Sequence, residues 1–168
     1  MTAKPPNLRR IQLCTGLLVR DERLLLVRGR YEDEPEPLWT LPGGRQEVDE
    51  TIEEAVLREF MEETSLSVTI RELAYIAESF DYANRWHVVN CAFIVEESDR
   101  TLTPKPADPK IIEASFIPLA EVSGLLAADV LQIPVAAALG GRLERRYFAF
   151  RDSDVKVPFF GRTRLRHG

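Results

Sequence analysis

Cysteine is nearly absent from this chain: Cys14 and Cys91 are the only two thiols among 168 residues. Each lies in an apolar, β-branched neighbourhood, which is the setting of buried core thiols in a reducing compartment and not of a disulfide scaffold. A domain of about 150 residues buries roughly 70% of its unfolded surface, so it needs no such staple. Long apolar runs are missing too. Met1 to Arg10 holds Lys4, two prolines and an arginine pair without an apolar stretch, so no secretory signal is expected there. The most apolar later run, Ala127 to Leu139, is interrupted by Asp129 and Pro134 and falls short of the roughly 20 residues a membrane span requires. Internal repeats and low-complexity tracts are also lacking. These absences argue against stapled, membrane-spanning and solenoid architectures. They predict one cytoplasmic domain over 1–168, with a core of about 8–140 and a C-terminal extension over 141–168.

What is present begins with charge. The net charge is −5, yet Glu47 to Glu63 holds eight acids against the single base Arg58, a local −7 that leaves the rest of the chain at +2. Arg142 to Arg166 runs the other way, with eight bases against three acids. A basic tail of this kind is solvated or meets a phosphate-bearing partner.

Ile11 to Arg20 and Leu24 to Arg28, around Asp21-Glu22-Arg23, read as a hairpin. A charged loop follows over 29–37, then a short strand at 38–41 ending in the breaker Pro42-Gly43-Gly44. Thr51 to Thr64 is the clearest helix. Thr51 with Glu54 forms a capping-box pattern, and Ile52, Ala55, Val56 and Phe60 make an apolar stripe. The helix should end near Ser65. Leu66 to Phe80 and Trp86 to Glu96 should pair antiparallel, and Ile111 to Ile117 is another strand. Leu119 to Leu139 should be helical, broken around Pro134. Tyr147 to Phe150 and Val155 to Phe160 could close a last hairpin.

On the central helix each residue advances by roughly 100°, so Glu59, Glu62 and Glu63 share one face. Like charges at these spacings repel by some tenths of a kcal/mol per pair, on a stripe that continues the apolar Ile52 and Val56. A hard divalent cation would reverse that penalty, because such ions take oxygen ligands. The wider spacing is more specific: Gly44, five residues, Glu50, seven residues, then Arg58, Glu59, Glu62, Glu63 and Leu66. Six fixed residues in that register would coincide by chance on the order of once per ten million start positions. The pattern closely resembles the Nudix box. Leu41-Pro42-Gly43 and Glu47 resemble the family's usual flanks, and motif and flanks cover Leu41 to Leu66. Two positions depart from it: Phe60 stands where an aliphatic residue is usual, and Ser65 replaces the final glycine.

The resemblance implies an α/β fold of Nudix type, an α/β/α sandwich with a mixed, largely antiparallel sheet and the box helix on one face. It implies hydrolysis of a diphosphate linkage in a nucleoside diphosphate joined to another group, with Mg²⁺ or Mn²⁺. House-cleaning of nucleoside triphosphates is one form of this. Glu59, Glu62 and Glu63 match the helix ligands, Glu50 an auxiliary ligand, and the Gly43 carbonyl can complete the sphere. Arg58 matches the residue that orients a box glutamate. The general base is drawn either from the box, with Glu59 or Glu63 preferred, or from a later loop, in or beside which lie Glu96, Glu97, Asp108 and Glu113. A different class of function is a nucleotide-sensing module with little turnover, suggested by Ser65 and the basic tail.

Substrate identity lies outside the box. Phe80, Tyr82, Arg85, Trp86 and His87 cluster at the hairpin tip, where Tyr82, Arg85 and Trp86 are candidates to stack on a base or grip a phosphate. The proline that marks ADP-ribose pyrophosphatases about fifteen residues past the box is missing, and Tyr82 is a near miss for the tyrosine of dinucleoside polyphosphate hydrolases. No nucleic-acid partner is expected, since little chain remains after Leu139 for a helix-turn-helix. A homodimer is compatible with the reading.

Overall fold

In the computed structural model, residues 7–31, 34–82, 84–126, 128–141 and 146–151 are described. The elements run β1 (Arg9–Leu17), β2 (Val19–Arg20), β3 (Arg23–Gly29), β4 (Leu38–Thr40), β5 (Gly43–Arg45), α1 (Ile52–Thr64), β6 (Val68–Asp81), β7 (Trp86–Glu97), β8 (Ile111–Pro118), α2 (Leu119–Leu125), α3 (Asp129–Leu139) and β9 (Tyr147–Phe150).

The strands divide into two sheets. The first has the order β5-β1-β7-β6-β9 and is mixed: β1 runs parallel to β7 and β9 parallel to β6, while the β1–β5 and β6–β7 pairs are antiparallel. In the second, β3 is flanked by β8 on one side and by β2 and β4 on the other, all antiparallel.

Side chains alternate across these strands, so each sheet feeds two cores. Leu17, Leu24, Leu26 and Ala92 join Val122, Leu126, Val130 and Val135 from the α2–α3 side. Cys14, Leu25, Cys91, Phe93 and Val95 join Ala55, Val56 and Phe60 of α1. The helices therefore cover opposite faces, the expected α/β/α layering. Fully burying a side chain such as Phe60 contributes about 1.5–3 kcal/mol, which is why α1 is anchored along the stripe read from the sequence.

Three local expectations need correction, and a fourth falls partly outside the described residues. The run at 11–20 is not one arm of a hairpin. β1 stays in the first sheet, and the chain crosses at Leu18, whose carbonyl accepts from Leu25 N at 2.9 Å. Only β2 and β3 form the hairpin, turning at Asp21 and Glu22, both with positive φ as a type I′ turn demands. Second, Gly43-Gly44 is not a break but the start of β5, paired with Thr15 and Cys14 of β1. Third, Pro134 lies inside α3. The interruption falls instead between Leu125 and Asp129, where buried Leu126 bridges to Trp39 of β4. The proline removes one helical hydrogen bond, a loss that the buried Val130, Leu131 and Val135 outweigh. Finally, β9 joins the first sheet beside β6, while its expected hairpin partner at 155–160 lies outside the described residues.

Among the described residues no helix is long and apolar enough to cross a membrane.

Candidate functional site

The capping box at the start of α1 is present in full. Thr51 Oγ1 accepts from Glu54 N at 3.2 Å and Glu54 Oε2 accepts from Thr51 N at 2.7 Å. With that end fixed and Val56 and Phe60 packed inward, the helix must carry Glu59 and Glu63 along the border of the buried stripe. Glu63 is 5% exposed and the Glu59 side chain 12%.

Arg58 is the hub. Its Nε and Nη2 donate to the two oxygens of Glu50 at 3.0 and 2.7 Å, and its Nη1 donates to Glu59 at 2.9 Å and Glu62 at 3.3 Å. Nη2 also donates to the Arg45 carbonyl at 3.0 Å, tying α1 to β5. A planar guanidinium can serve this many acceptors at once, which an ammonium cannot. Glu50 is set up from its own loop as well, since its Oε1 accepts from Glu47 N at 2.7 Å.

Glu63 turns the other way, and its Oε2 accepts from Gly43 N at 2.9 Å. The glycine pair lets β5 lie close to β1 on one side and to Glu59 on the other. Gly43 has φ 149, and a Cβ on Gly44 would overlap Glu59 Oε1 and stand 2.6 Å from its Cδ.

The electrostatics follow the packing. Burial pushes the Glu63 carboxyl well above its ordinary value, opposed by the Gly43 amide and reinforced by Glu59, Asp108 and Glu62. Burial raises Glu59 too, with the Arg58 guanidinium opposing. Glu50 is lowered, chiefly by its hydrogen bond from Arg58, and that same bond raises Arg58.

Among the described residues no three acidic, histidine or cysteine side chains surround one point as a ready-made ion site. The reason is visible: Arg58 draws Glu50, Glu59 and Glu62 onto itself while Glu63 faces Gly43. In chemistry the set fits a hard divalent cation. Every donor is oxygen: Glu50, Glu59 and Glu62 share a single guanidinium, and Glu63 lies one helix turn from Glu59.

Of the later-loop acids, the structure brings only Asp108 to this centre, where its charge acts on both Glu59 and Glu63. Glu97 is engaged by Arg20 and Arg100, Glu96 by Arg71 at 3.1 Å, and Glu113 by Ser115 at 2.9 Å. Tyr31 is a residue that sequence reading passed over. Its phenol contacts Thr40 Oγ1 at 3.5 Å, and burial raises it to about 12, with Glu63, Asp108 and Glu59 adding to the shift. No motif flagged it, because it lies in a charged loop outside the box.

The hairpin-tip residues do not form one patch. Phe80 stacks on His87 with centroids 4.4 Å apart and Tyr82 stacks on Phe80 at 6.3 Å, all on one face of the first sheet. Trp86 belongs to the other face with Ile11, Leu13 and Val88, under the guanidiniums of Arg9 and Arg45 at 5.4 and 5.8 Å. Arg85 is an exposed turn residue with φ 60, its carbonyl accepting from Arg9 N at 2.8 Å. Among the described residues, Trp86 alone of the three is linked to the carboxylate centre, through Arg45.

An ADP-ribose pyrophosphatase of Methanocaldococcus jannaschii is 37% identical over 81 residues, covering 48% of this chain and 47% of that protein. CTP pyrophosphohydrolase of Escherichia coli is 27% identical over 88 residues, covering 48% of this chain and 64% of that protein. The chain thus spans about half to two thirds of the length of these curated relatives. A NUDIX hydrolase of Nitrosomonas europaea with a solved structure is 19% identical with a TM-score of 0.69, over 83% of this chain and 93% of that one. A family model described as NUDIX domain matches residues 10–138. A match of that extent shows that this chain belongs to the NUDIX domain family.

Proposed function

We propose that this protein hydrolyses a diphosphate linkage in a nucleoside diphosphate joined to another group, and that it needs Mg²⁺ or Mn²⁺ to do so. The observation that carries the reading is the crowding of Glu50, Glu59 and Glu62 around the one guanidinium of Arg58, with Glu63 buried beside them on a helix border where carboxylates are costly. Family membership and relatives named for pyrophosphate hydrolysis support the same reaction class.

Glu59, Glu62 and Glu63 would hold the cation, with Glu50 as an auxiliary ligand and the Gly43 carbonyl available. When bound, a divalent ion neutralises the diphosphate and lowers the pKa of a water for in-line attack on phosphorus. Arg58 keeps Glu50, Glu59 and Glu62 within reach of one another. Glu59 or Glu63 is the preferred general base, since burial lifts both above the ordinary carboxylate range and makes them better proton acceptors. Asp108 is the alternative base from the later loop. Trp86, beside Arg9 and Arg45, is the best-supported base-stacking candidate, while among the described residues Tyr82 and Arg85 are not linked to the centre.

The substrate is not settled by likeness to the ADP-ribose pyrophosphatase, because positions 80 to 82 hold Phe80, Asp81 and Tyr82 in place of that group's marker proline. The test is Mg²⁺-dependent hydrolysis across nucleoside triphosphates, oxidised nucleotides, dinucleoside polyphosphates, nucleotide sugars and ADP-ribose, with products identified by mass. One class cleaved at its diphosphate linkage is the expected result. Binding without turnover across the panel would favour a sensor instead.

A further inference from the structure

A distant piece of chain caps the C-terminal end of α1. Lys105 N donates to Thr64 O at 2.8 Å, and Ala107 N and Asp108 N both donate to Glu62 O, at 2.9 and 2.8 Å. These carbonyls are among those the last turn of a helix leaves without partners. Ser65 adds a bond in the reverse direction, its Oγ donating to Lys105 O at 2.6 Å. Both backbone polar groups of Lys105 are thereby fastened to the helix end.

The fastened segment is stiff. Pro104, Pro106 and Pro109 flank Lys105 and Asp108, and each fixes its own φ while restricting the residue before it. Constraint at Lys105 is therefore passed on to Asp108. On its far side, Asp108 Oδ1 accepts from Lys110 N at 2.8 Å and its carbonyl accepts from Ile111 N at 3.1 Å.

Ser65 itself holds φ 57 and ψ 20, a left-handed conformation that a glycine would adopt with less strain. Glycine, however, has no hydroxyl to give to Lys105. We propose that Ser65 is a positioning residue whose hydroxyl latches the 104–109 segment onto α1 and so sets Asp108 beside Glu59 and Glu63. Its functional half rests on the hydrolase reading above; the latch itself does not.

The test uses the full chain with Ser65→Gly and Ser65→Asn. In Ser65→Gly, amide hydrogen exchange at Lys105, Ala107 and Asp108 should quicken about fivefold, as expected for one lost hydrogen bond, while the melting temperature holds or rises. That combination separates a lost latch from general destabilisation. Asparagine tolerates the left-handed conformation and carries an N–H donor, so Ser65→Asn should restore at least half of the protection.

With Mg²⁺ and whichever compound of the panel above is cleaved fastest, kcat of Ser65→Gly should fall about fivefold with KM within about twofold. Asp108→Asn should fall at least as far, and adding Ser65→Gly to it should cost little more. Unchanged exchange at the three amides overturns the latch. Faster exchange with unchanged kcat overturns the positioning role. A wild-type chain that cleaves no compound of the panel overturns the hydrolase reading and the positioning role together, and exchange alone then decides the latch.

Discussion

Gly16 of β1 and Phe60 of α1 are shaped to each other: a Cβ on Gly16 would overlap Phe60 Cε2 and stand 3.1 Å from its Cζ. The aromatic residue at a position usually aliphatic is thus accommodated by a missing side chain on the facing strand. Gly16→Ala should cost about 2–3 kcal/mol by overpacking. Phe60→Leu alone should cost about 1–2 kcal/mol through the space it leaves. The double variant should recover at least about 1 kcal/mol relative to the sum, measured by urea denaturation. Strict additivity would show that the two do not share the space.

Arg58 and Glu62 should separate stability from activity. Replacing Arg58 with Gln leaves the half-buried Glu50 and Glu59 without their cation, at an expected cost of about 2–3 kcal/mol. Glu62 has a half-exposed side chain with Arg58 at 3.3 Å, so Glu62→Gln should stay within about 0.5 kcal/mol of wild type. It should nonetheless lose about a hundredfold or more in kcat, within the range seen when a group acting directly on the reacting atoms is removed. Wild-type turnover in Glu62→Gln would remove this residue from the proposed ligand set.

Glu63 predicts a pH dependence whose sign is unambiguous. Its carboxyl is raised in the folded protein by burial, so the folded state holds a proton that the unfolded chain gives up near 4.5. The associated stability is present below that value and is lost as pH rises toward the raised one. Without metal, Glu63→Gln should therefore melt a few degrees higher than wild type at pH 7.5, with the difference vanishing near pH 4, since about 1 kcal/mol moves a domain of this size by a few degrees. A divalent cation needs the carboxylate, so Mg²⁺ should raise the melting temperature of wild type increasingly with pH and that of Glu63→Gln far less. Thermal melts with and without chelator decide both points.

Tyr75 lies wholly buried against Phe148, ring centroids 6.0 Å apart, and its hydroxyl has no hydrogen-bond partner among the described residues. A phenol in such a place carries an uncompensated desolvation cost. Tyr75→Phe should be neutral or stabilising by up to about 1 kcal/mol. A loss larger than that, in calorimetry or denaturant melts, would reveal a partner for the hydroxyl.

Part of the fold was legible because local signals agreed with one another. The capping box, the apolar stripe and the paired strands 68–81 and 86–97 rest on periodicity and caps, which neighbouring residues set by themselves. The crossing at Leu18 was not legible, since an unbroken apolar run looks the same whether it stays in one sheet or passes between two. Pro134 misled for a related reason: a breaker's local cost is a prior that buried contacts can override.

The site divides in the same way. Spacing along one helix decided that Glu59, Glu62 and Glu63 share a face with Arg58 in reach, because 3.6 residues per turn leave no other arrangement. Whether a carboxylate far along the chain joins them is a matter of loop closure, and Asp108, Glu96, Glu97 and Glu113 were indistinguishable until the backbone of 105–108 met the end of α1. Tyr82 and Trp86, four residues apart, fell on opposite faces of the sheet because alternation across a strand pair separates what the linear order groups together. The sequence by itself determined the helix, its caps and its charge. The tertiary structure decided which distant groups were brought to that charge, because contacts between remote segments depend on the packing of the two sheets and not on the local preferences of either segment.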